Sequence, residues 1–348
     1  MLNKALNVGV IGLGIGKEHA KGVKATAEAC LYAICDPDTA RAADVAAELS
    51  DVAAELSVPH VFTDYRQMLA DPAIDAVIIA SPDQFHRQMV TDALAAGKHI
   101  LCEKPLALTR EDCEAMISNA DASSRKLMVG QICRFTPSFR KAKELIDQGA
   151  IGQLTFVESE YAHDYTEIYA KNSWRSDPLR NGVVGGGCHA EDLLRWIAGD
   201  PEEVMAYGTH KTFADPTPYD DTHIAILKFP GGVIGKVFIS ISCKRDYTMR
   251  SVFYGTRGTI IVDNTSPTMT LFRDRDDAGN DTHDQPITIA VPVNNHNVTD
   301  EFREFFRVVS GEQSLAVTAR EGANTIAVCA AIMDSAARGR PVCPAYFR

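Results

Sequence analysis

From Leu6 to Gly130 short apolar runs alternate with longer stretches of helical periodicity. The runs are Asn7–Ile11, Leu31–Cys35, His60–Phe62, Ala76–Ala80, His99–Cys102 and Leu127–Val129. Each is too short for a helix and shows little polar alternation, the pattern of strands buried on both faces of a parallel sheet. Helical stretches lie between them, among them Phe85–Ala96 and the segment opening at Thr109, where Asp112 three residues on resembles a capping box. Strand and helix in alternation predict a doubly wound α/β domain over residues 1–130.

Beyond about residue 150 the pattern changes to alternating strands. Leu154–Tyr161, Thr222–Phe229 and Val233–Ser242 read as strands, and Pro230-Gly231-Gly232 reads as a hairpin turn between the last two. Helices are predicted at Pro137–Gln148, at Cys188–Ala198 closed by Gly199, at Glu301–Val309 and at Ala319–Arg338. Residues 131–348 are therefore expected to form an α+β domain with an open, mainly antiparallel sheet.

Composition narrows the class. The 348 residues suit two domains, and 45% hydrophobic with 23% charged residues is the balance of a globular enzyme. A formal net charge of -11 argues against nucleic acid as a partner, because phosphate binding leans on clustered Lys and Arg. Nine cysteines include no C-x-x-C pair, which fits reduced thiols in a reducing cytoplasm. The opening apolar stretch is short and broken by glycines, so it reads as a first strand rather than a signal or a membrane span. One oddity is the tandem repeat DVAAELS at 44–50 and 51–57 within the second helix. Seven added residues come close to two helical turns and keep Val45, Leu49, Val52 and Leu56 near one face.

Chemistry enters at the first strand's end. Gly12-Leu13-Gly14-Ile15-Gly16 joins strand to helix, and such a turn lets the backbone and a helix N-terminus approach a pyrophosphate. Asp36 closes the second strand about 20 residues downstream, where a carboxylate accepts ribose hydroxyls of NAD and repels the 2′-phosphate of NADP. NAD is the expected cofactor, with NADP as the alternative. Ser81-Pro82 with His86, and Glu103-Lys104-Pro105, follow the fourth and fifth strands, where open α/β sheets place ligands.

With GLGIGKEHA, GKHILCEKPL, RFTPSFRKAKELIDQGAIG, NSWR, GGGCHAEDLLRW and the GRPV tail, the chain resembles, nearly end to end, the glucose-fructose oxidoreductase / inositol dehydrogenase / rhizopine-catabolism (Gfo/Idh/MocA) dehydrogenases. The resemblance implies a Rossmann domain and a second domain whose open sheet packs against another subunit in a homodimer or homotetramer. It implies that Lys104 reaches the nicotinamide ribose and the substrate hydroxyl, and that His189 is the catalytic histidine. Asp192, one helical turn after His189, is then a candidate for substrate hydroxyls. Arg134, Trp174 and Arg175 join Gly12, Gly14, Ile15, Gly16, Asp36, Ser81, Pro82, His86, Glu103 and Lys104 as cofactor-side residues. An imidazole titrating near neutrality suits removal of an alcohol proton as hydride leaves the same carbon.

One position departs from the family pattern. Many members carry an Asp four residues before the histidine, and here that position is Gly185. Either another acid, such as Glu160, Asp164, Glu191 or Asp192, replaces it, or proton transfer rests on Lys104 and His189 alone. His19 and His86 are expected to pack or cap, although the resemblance puts His86 near the cofactor edge, and the remaining histidines show no metal-ligand spacing, so no metal is expected. The reading is a cytoplasmic NAD(P)-dependent dehydrogenase acting on a hydroxyl-bearing carbon of a sugar, sugar derivative or cyclitol, with neither membrane nor nucleic acid as partner. Two alternatives stand beside it: a glycosidase that oxidises and re-reduces its substrate without accumulating NADH, and a non-catalytic NAD-binding sensor on the same scaffold.

Overall fold

The computed structural model describes residues 5–51, 60–171, 173–213, 219–275, 279–282, 285–313, 315 and 317–348. The chain divides into two units. The first holds Met1–Gln131 with Val298–Ala323 and Arg348, and the second holds Ile132–Asn297 with Asn324–Phe347.

The apolar runs of the first unit become β1 (Leu6–Ile11), β2 (Ala29–Cys35), β3 (His60–Phe62), β4 (Ala76–Ile79), β5 (His99–Glu103) and β6 (Leu127–Gly130). Helices α1 (Gly16–Lys24), α2 (Thr39–Asp51), α3 (Tyr65–Leu69), α4 (His86–Ala95) and α5 (Arg110–Asp121) connect them. All strand pairs are parallel, in the order β3-β2-β1-β4-β5-β6. The order reverses beside β1, which pairs with β2 on one side and β4 on the other, so the loops after β1 and β4 open a crevice there. Every residue of β4 is buried, which is why its sequence has no polar alternation. Thr109 caps α5 by accepting the Asp112 N–H, while the Asp112 carboxylate bonds Arg87 instead of reaching back. Val45 and Leu49 on α2 are buried, whereas the second copy of the repeat, from residue 52 on, lies outside the described residues.

In the second unit α6 (Pro137–Asp147), α7 (Thr166–Lys171) and α8 (Cys188–Ala198) accompany β7 (Leu154–Ala162), β8 (Glu203–Thr209), β9 (Thr222–Lys228), β10 (Ile234–Ser240), β11 (Arg250–Gly255), β12 (Gly258–Asp263), β13 (Thr268–Arg273) and β14 (Ile287–Ala290). The eight strands form one sheet, β14-β13-β12-β11-β7-β10-β9-β8, antiparallel except where β10 runs parallel to β7. The β9–β10 hairpin turns through Pro230-Gly231-Gly232, whose glycines take φ values of 73° and 83°. The hydrophobic pattern of the sequence does not announce α3, α7, β8 or the four strands from β11 to β14.

The last helices are α9 (Val298–Val309) and α10 (Ala319–Arg338). A continuous second domain over 131–348 is not what forms, because residues 298–323 return to the first unit. The physical reason is packing. Phe302 and Phe305 on α9 are buried, a Cβ at Gly22 of α1 would lie 3.0 Å from Val298, and the Val129 N–H donates to the Val317 carbonyl.

Candidate active site

Gly12 takes φ 85°, and a Cβ there would lie 2.7 Å from the Ala80 oxygen and 2.8 Å from the Ser81 nitrogen. Only glycine lets the loop after β1 pass so close to the one after β4. At Gly16 a Cβ would press on Val10 and Ala80, so this glycine seats α1 against the sheet. At Gly14 a Cβ would meet nothing within 4 Å, and the loop therefore faces open space at the helix N-terminus. Asp36 is 3% exposed. One carboxylate oxygen accepts the Leu13 N–H at 2.8 Å, the other accepts the Asp38 N–H at 2.9 Å, and the Arg41 guanidinium bonds both at 3.2–3.3 Å. An open glycine cradle with an anchored carboxylate fits a dinucleotide whose pyrophosphate meets the helix and whose ribose meets Asp36.

His86, a packing or capping ring that the resemblance puts at the cofactor edge, is fully buried, with Nδ1 2.9 Å from the Pro105 carbonyl and Nε2 3.1 Å from the Ser81 carbonyl. Burial opposes its charge, yet Cys102, Asp83 and the Pro105 carbonyl outweigh it and raise its pKa to about 10. Two carbonyl acceptors call for two N–H donors, so His86 ties the Ser81 loop to the Lys104-Pro105 segment as an internal strut. Glu103 accepts from His19 Nε2 at 2.7 Å and from the Lys104 N–H at 3.1 Å, which holds the start of that segment.

In the second unit His189 opens α8 at 4% exposure, preceded by a π-turn over Val183–Gly187. Its ring stacks on Tyr161 with centroids 6.0 Å apart and an interplanar angle of 26°, and its Nδ1 lies 3.5 Å from Cys133 Sγ. From Tyr161 an aromatic wall continues through His163, Tyr165 and Tyr247 to the exposed His296. Tyr161 Oη bonds Tyr165 Oη at 2.8 Å and His163 Nδ1 at 3.3 Å. Burial first, and neighbouring tyrosines after it, lift the Tyr161 phenol well above its usual range, and burial does the same at Tyr247. Both hydroxyls therefore stay neutral near pH 7 and serve as hydrogen-bonding groups rather than bases. The sequence offered no signal for this wall, since strand and loop segments far apart in the chain build it.

Asp192 and Arg134, expected on the substrate and cofactor sides, bind each other. Arg134 Nε and Nη2 donate to the two Asp192 oxygens at 2.8 Å each, Thr325 adds a 3.0 Å bond, and both partners are buried. Arg175 and Arg180 lie over the Trp174 ring at 4.6 and 4.9 Å.

At Gly185 a Cβ would lie 2.5 Å from Arg180 Nη1, so the Arg180 guanidinium fills the space that a side chain at that position needs. Of the candidate replacements, Glu160 pairs with Arg245, Asp164 binds Lys244 and Thr166, and Asp192 holds Arg134. Glu191 is fully buried with neither carboxyl oxygen hydrogen-bonded, and burial raises its pKa to about 8. Among the described residues no group of His, Cys, Asp and Glu is arranged to hold a metal ion.

Residues 6–131 match the oxidoreductase family with an NAD-binding Rossmann fold, and residues 139–261 match the GFO/IDH/MocA C-terminal domain. The chain is 28% identical to the myo-inositol 2-dehydrogenase of Thermotoga maritima over 91% of its length and 92% of the relative's. It is 31% identical to the inositol 2-dehydrogenase 2 of Saccharopolyspora erythraea over 73% of this chain and 72% of that one. A solved levoglucosan dehydrogenase in complex with NADH and L-sorbose shares the fold, with a TM-score of 0.87 at 24% identity over 99% of this chain and 100% of that one.

Proposed function

The chain belongs to the GFO/IDH/MocA family of NAD-binding oxidoreductases, and we propose that it oxidises a secondary hydroxyl on a polyhydroxylated ring, a sugar or cyclitol, with Lys104 and His189 as the acting side chains. The observation that carries the substrate class is the wall beside His189. The neutral Tyr161 phenol, the Tyr165 hydroxyl and the His163 ring offer both ring faces and hydrogen-bonding edges, the combination that a polyol ring needs.

Bound NAD supplies the hydride-accepting carbon. The Gly12–Gly16 turn and the α1 N-terminus would hold its pyrophosphate, and Asp36, now bonded by Arg41, would accept its ribose hydroxyls. Lys104 donates to the reacting oxygen and, as a cation, favours the alkoxide character that develops there. His189 takes the hydroxyl proton as the hydride leaves the same carbon. The buried tyrosines exclude water and orient the ring, and the buried Arg134–Asp192 pair keeps α8, and with it His189, in place.

We place the protein in the cytoplasm as a homodimer or homotetramer. No helix among the described residues is long and apolar enough to cross a membrane. Strand register puts Tyr207, Ile224, Ile226, Ile234, Phe156 and Tyr254 on one face of the β7–β11 region, and Tyr207 alone is 64% exposed. A second copy covering that face removes it from water.

The test is a panel of cyclitols, aldoses and sugar acids offered with NAD and with NADP, followed by NADH absorbance. Turnover that accumulates NADH supports the dehydrogenase. Sugar release without NADH favours the transient-oxidation glycosidase, and NAD binding without turnover on any compound favours the sensor. Sedimentation velocity reads the assembly, and a monomer at micromolar concentration refutes the sheet-face contact.

A further inference from the structure

Where the family pattern has a carboxylate near the histidine, this chain has Gly185 with Arg180 in the vacated space. A sulfur pair lies against the imidazole. Cys133 Sγ is 3.5 Å from His189 Nδ1 and 3.5 Å from Met249 Sδ, and the three residues are 3%, 4% and 0% exposed.

Hydrogen counting assigns the directions. A thioether carries no hydrogen, so the Cys133–Met249 contact is a hydrogen bond only if the thiol S–H donates to Sδ. Spending that single hydrogen on Met249 leaves Sγ toward His189 as an acceptor, and Nδ1 must then bear the ring hydrogen. A neutral imidazole holding its hydrogen on Nδ1 is unprotonated at Nε2, the nitrogen that can accept a proton.

We infer that Cys133 is a positioning residue for His189, accepting the Nδ1 hydrogen while its own S–H is held by Met249, so that Nε2 is left as the proton acceptor. The inference rests on the role of His189 proposed above. A thiol does this without charge, unlike a carboxylate. His189 is thus given its tautomer and orientation without an anion stabilising the imidazolium.

The experiment is long-range ¹H–¹⁵N correlation of the histidine rings in the full chain, with the His189 signals assigned by their loss in His189→Gln. Three proteins are compared above the titration of the ring: wild type, Cys133→Val and Met249→Leu. The wild type should show the Nδ1–H tautomer in excess. Cys133→Val removes the acceptor, and Met249→Leu, which conserves volume, frees the S–H to turn onto Nδ1. Each should cost at least about tenfold in the tautomer ratio, toward Nε2–H, because the hydrogen bond made at one ring nitrogen decides where the proton resides. Cys133→Ser, with a hydroxyl in place of the thiol, should retain more of the bias than valine does. A wild-type ring held as Nε2–H, or a ratio that neither variant moves, overturns the inference. The readout needs neither substrate nor NAD, so failure of the pair and failure of the dehydrogenase reading are told apart. A tautomer that responds as expected in a protein that turns over no polyol supports the pair and refutes the catalytic role of His189.

Discussion

Replacing Glu191 by Gln should change how stability depends on pH, and the structure gives both the sign and the window. Glu191 is wholly inside the second unit, its Oε1 lies 3.3 Å from where a Gly187 Cβ would sit, and neither oxygen is hydrogen-bonded. Burial is the main cause that lifts its pKa from 4.5 to about 8, its own backbone N–H opposes the rise, and the Asp192 charge adds to it. The folded protein therefore keeps a proton that the unfolded chain releases above its usual pKa. For a group raised in the folded state the stability is whole below about pH 4.5 and declines as pH climbs toward 8, at about 1.4 kcal/mol per unit. Summed over that window the loss is a few kcal/mol, a large fraction of the ~5–15 kcal/mol that holds a typical protein folded. Glutamine has nearly the same shape and no such ionisation. Urea denaturation of wild type and Glu191→Gln at half-unit steps from pH 4.5 to 9 should show a stability difference that grows in favour of the variant up to about pH 8 and then levels. Titrations shared by both proteins cancel in the difference. A gap that stays constant across the range would refute the burial argument.

Four further outcomes follow. Gly12→Ala places a Cβ against the Ala80–Ser81 backbone at φ 85° and should weaken NADH binding by more than about tenfold in a fluorescence titration. Arg134→Ala leaves the buried Asp192 without its bidentate partner and should cost about 3–5 kcal/mol by chemical denaturation, whereas Asp192→Asn, which removes the charge, should cost less. Lys104→Ala should lower both turnover and NADH affinity, while His189→Ala should lower turnover by about 10²- to 10⁴-fold with NADH affinity nearly unchanged, and an equal loss of affinity in both would contradict the assigned roles. Asp36→Ala should reduce the preference for NAD over NADP, read as a ratio of dissociation constants, because it removes the carboxylate that meets the ribose.

The parts of the first unit that the sequence determined are those governed by local rules. Apolar runs between helical stretches specified a parallel sheet, since strands covered on both faces cannot alternate, and Gly12 and Gly16 marked the dinucleotide turn because positive φ at the first and close approach at both restrict the residue type. Helix α8 was bounded correctly by its apolar pattern and Gly199. Strands β11 to β14 were not legible, because their alternation is short and interrupted and they gain stability from pairing in the sheet rather than from propensity.

What only tertiary structure decided is which polar groups meet. His86, Asp192 and Arg134 carry residue types equally suited to a ligand or to an internal bond, and their partners Ser81, Pro105 and Thr325 lie 5 to 133 residues away. The same holds for α9, whose periodicity announced a helix but whose unit was set by the surface it buries against α1. Cys133, His189 and Met249 are unremarkable one by one, and the sulfur–imidazole contact exists because folding brings together positions 56 and 116 residues apart. Local backbone preference is written residue by residue, whereas the choice between bonding a ligand and bonding the protein depends on which groups the fold leaves within reach of one another.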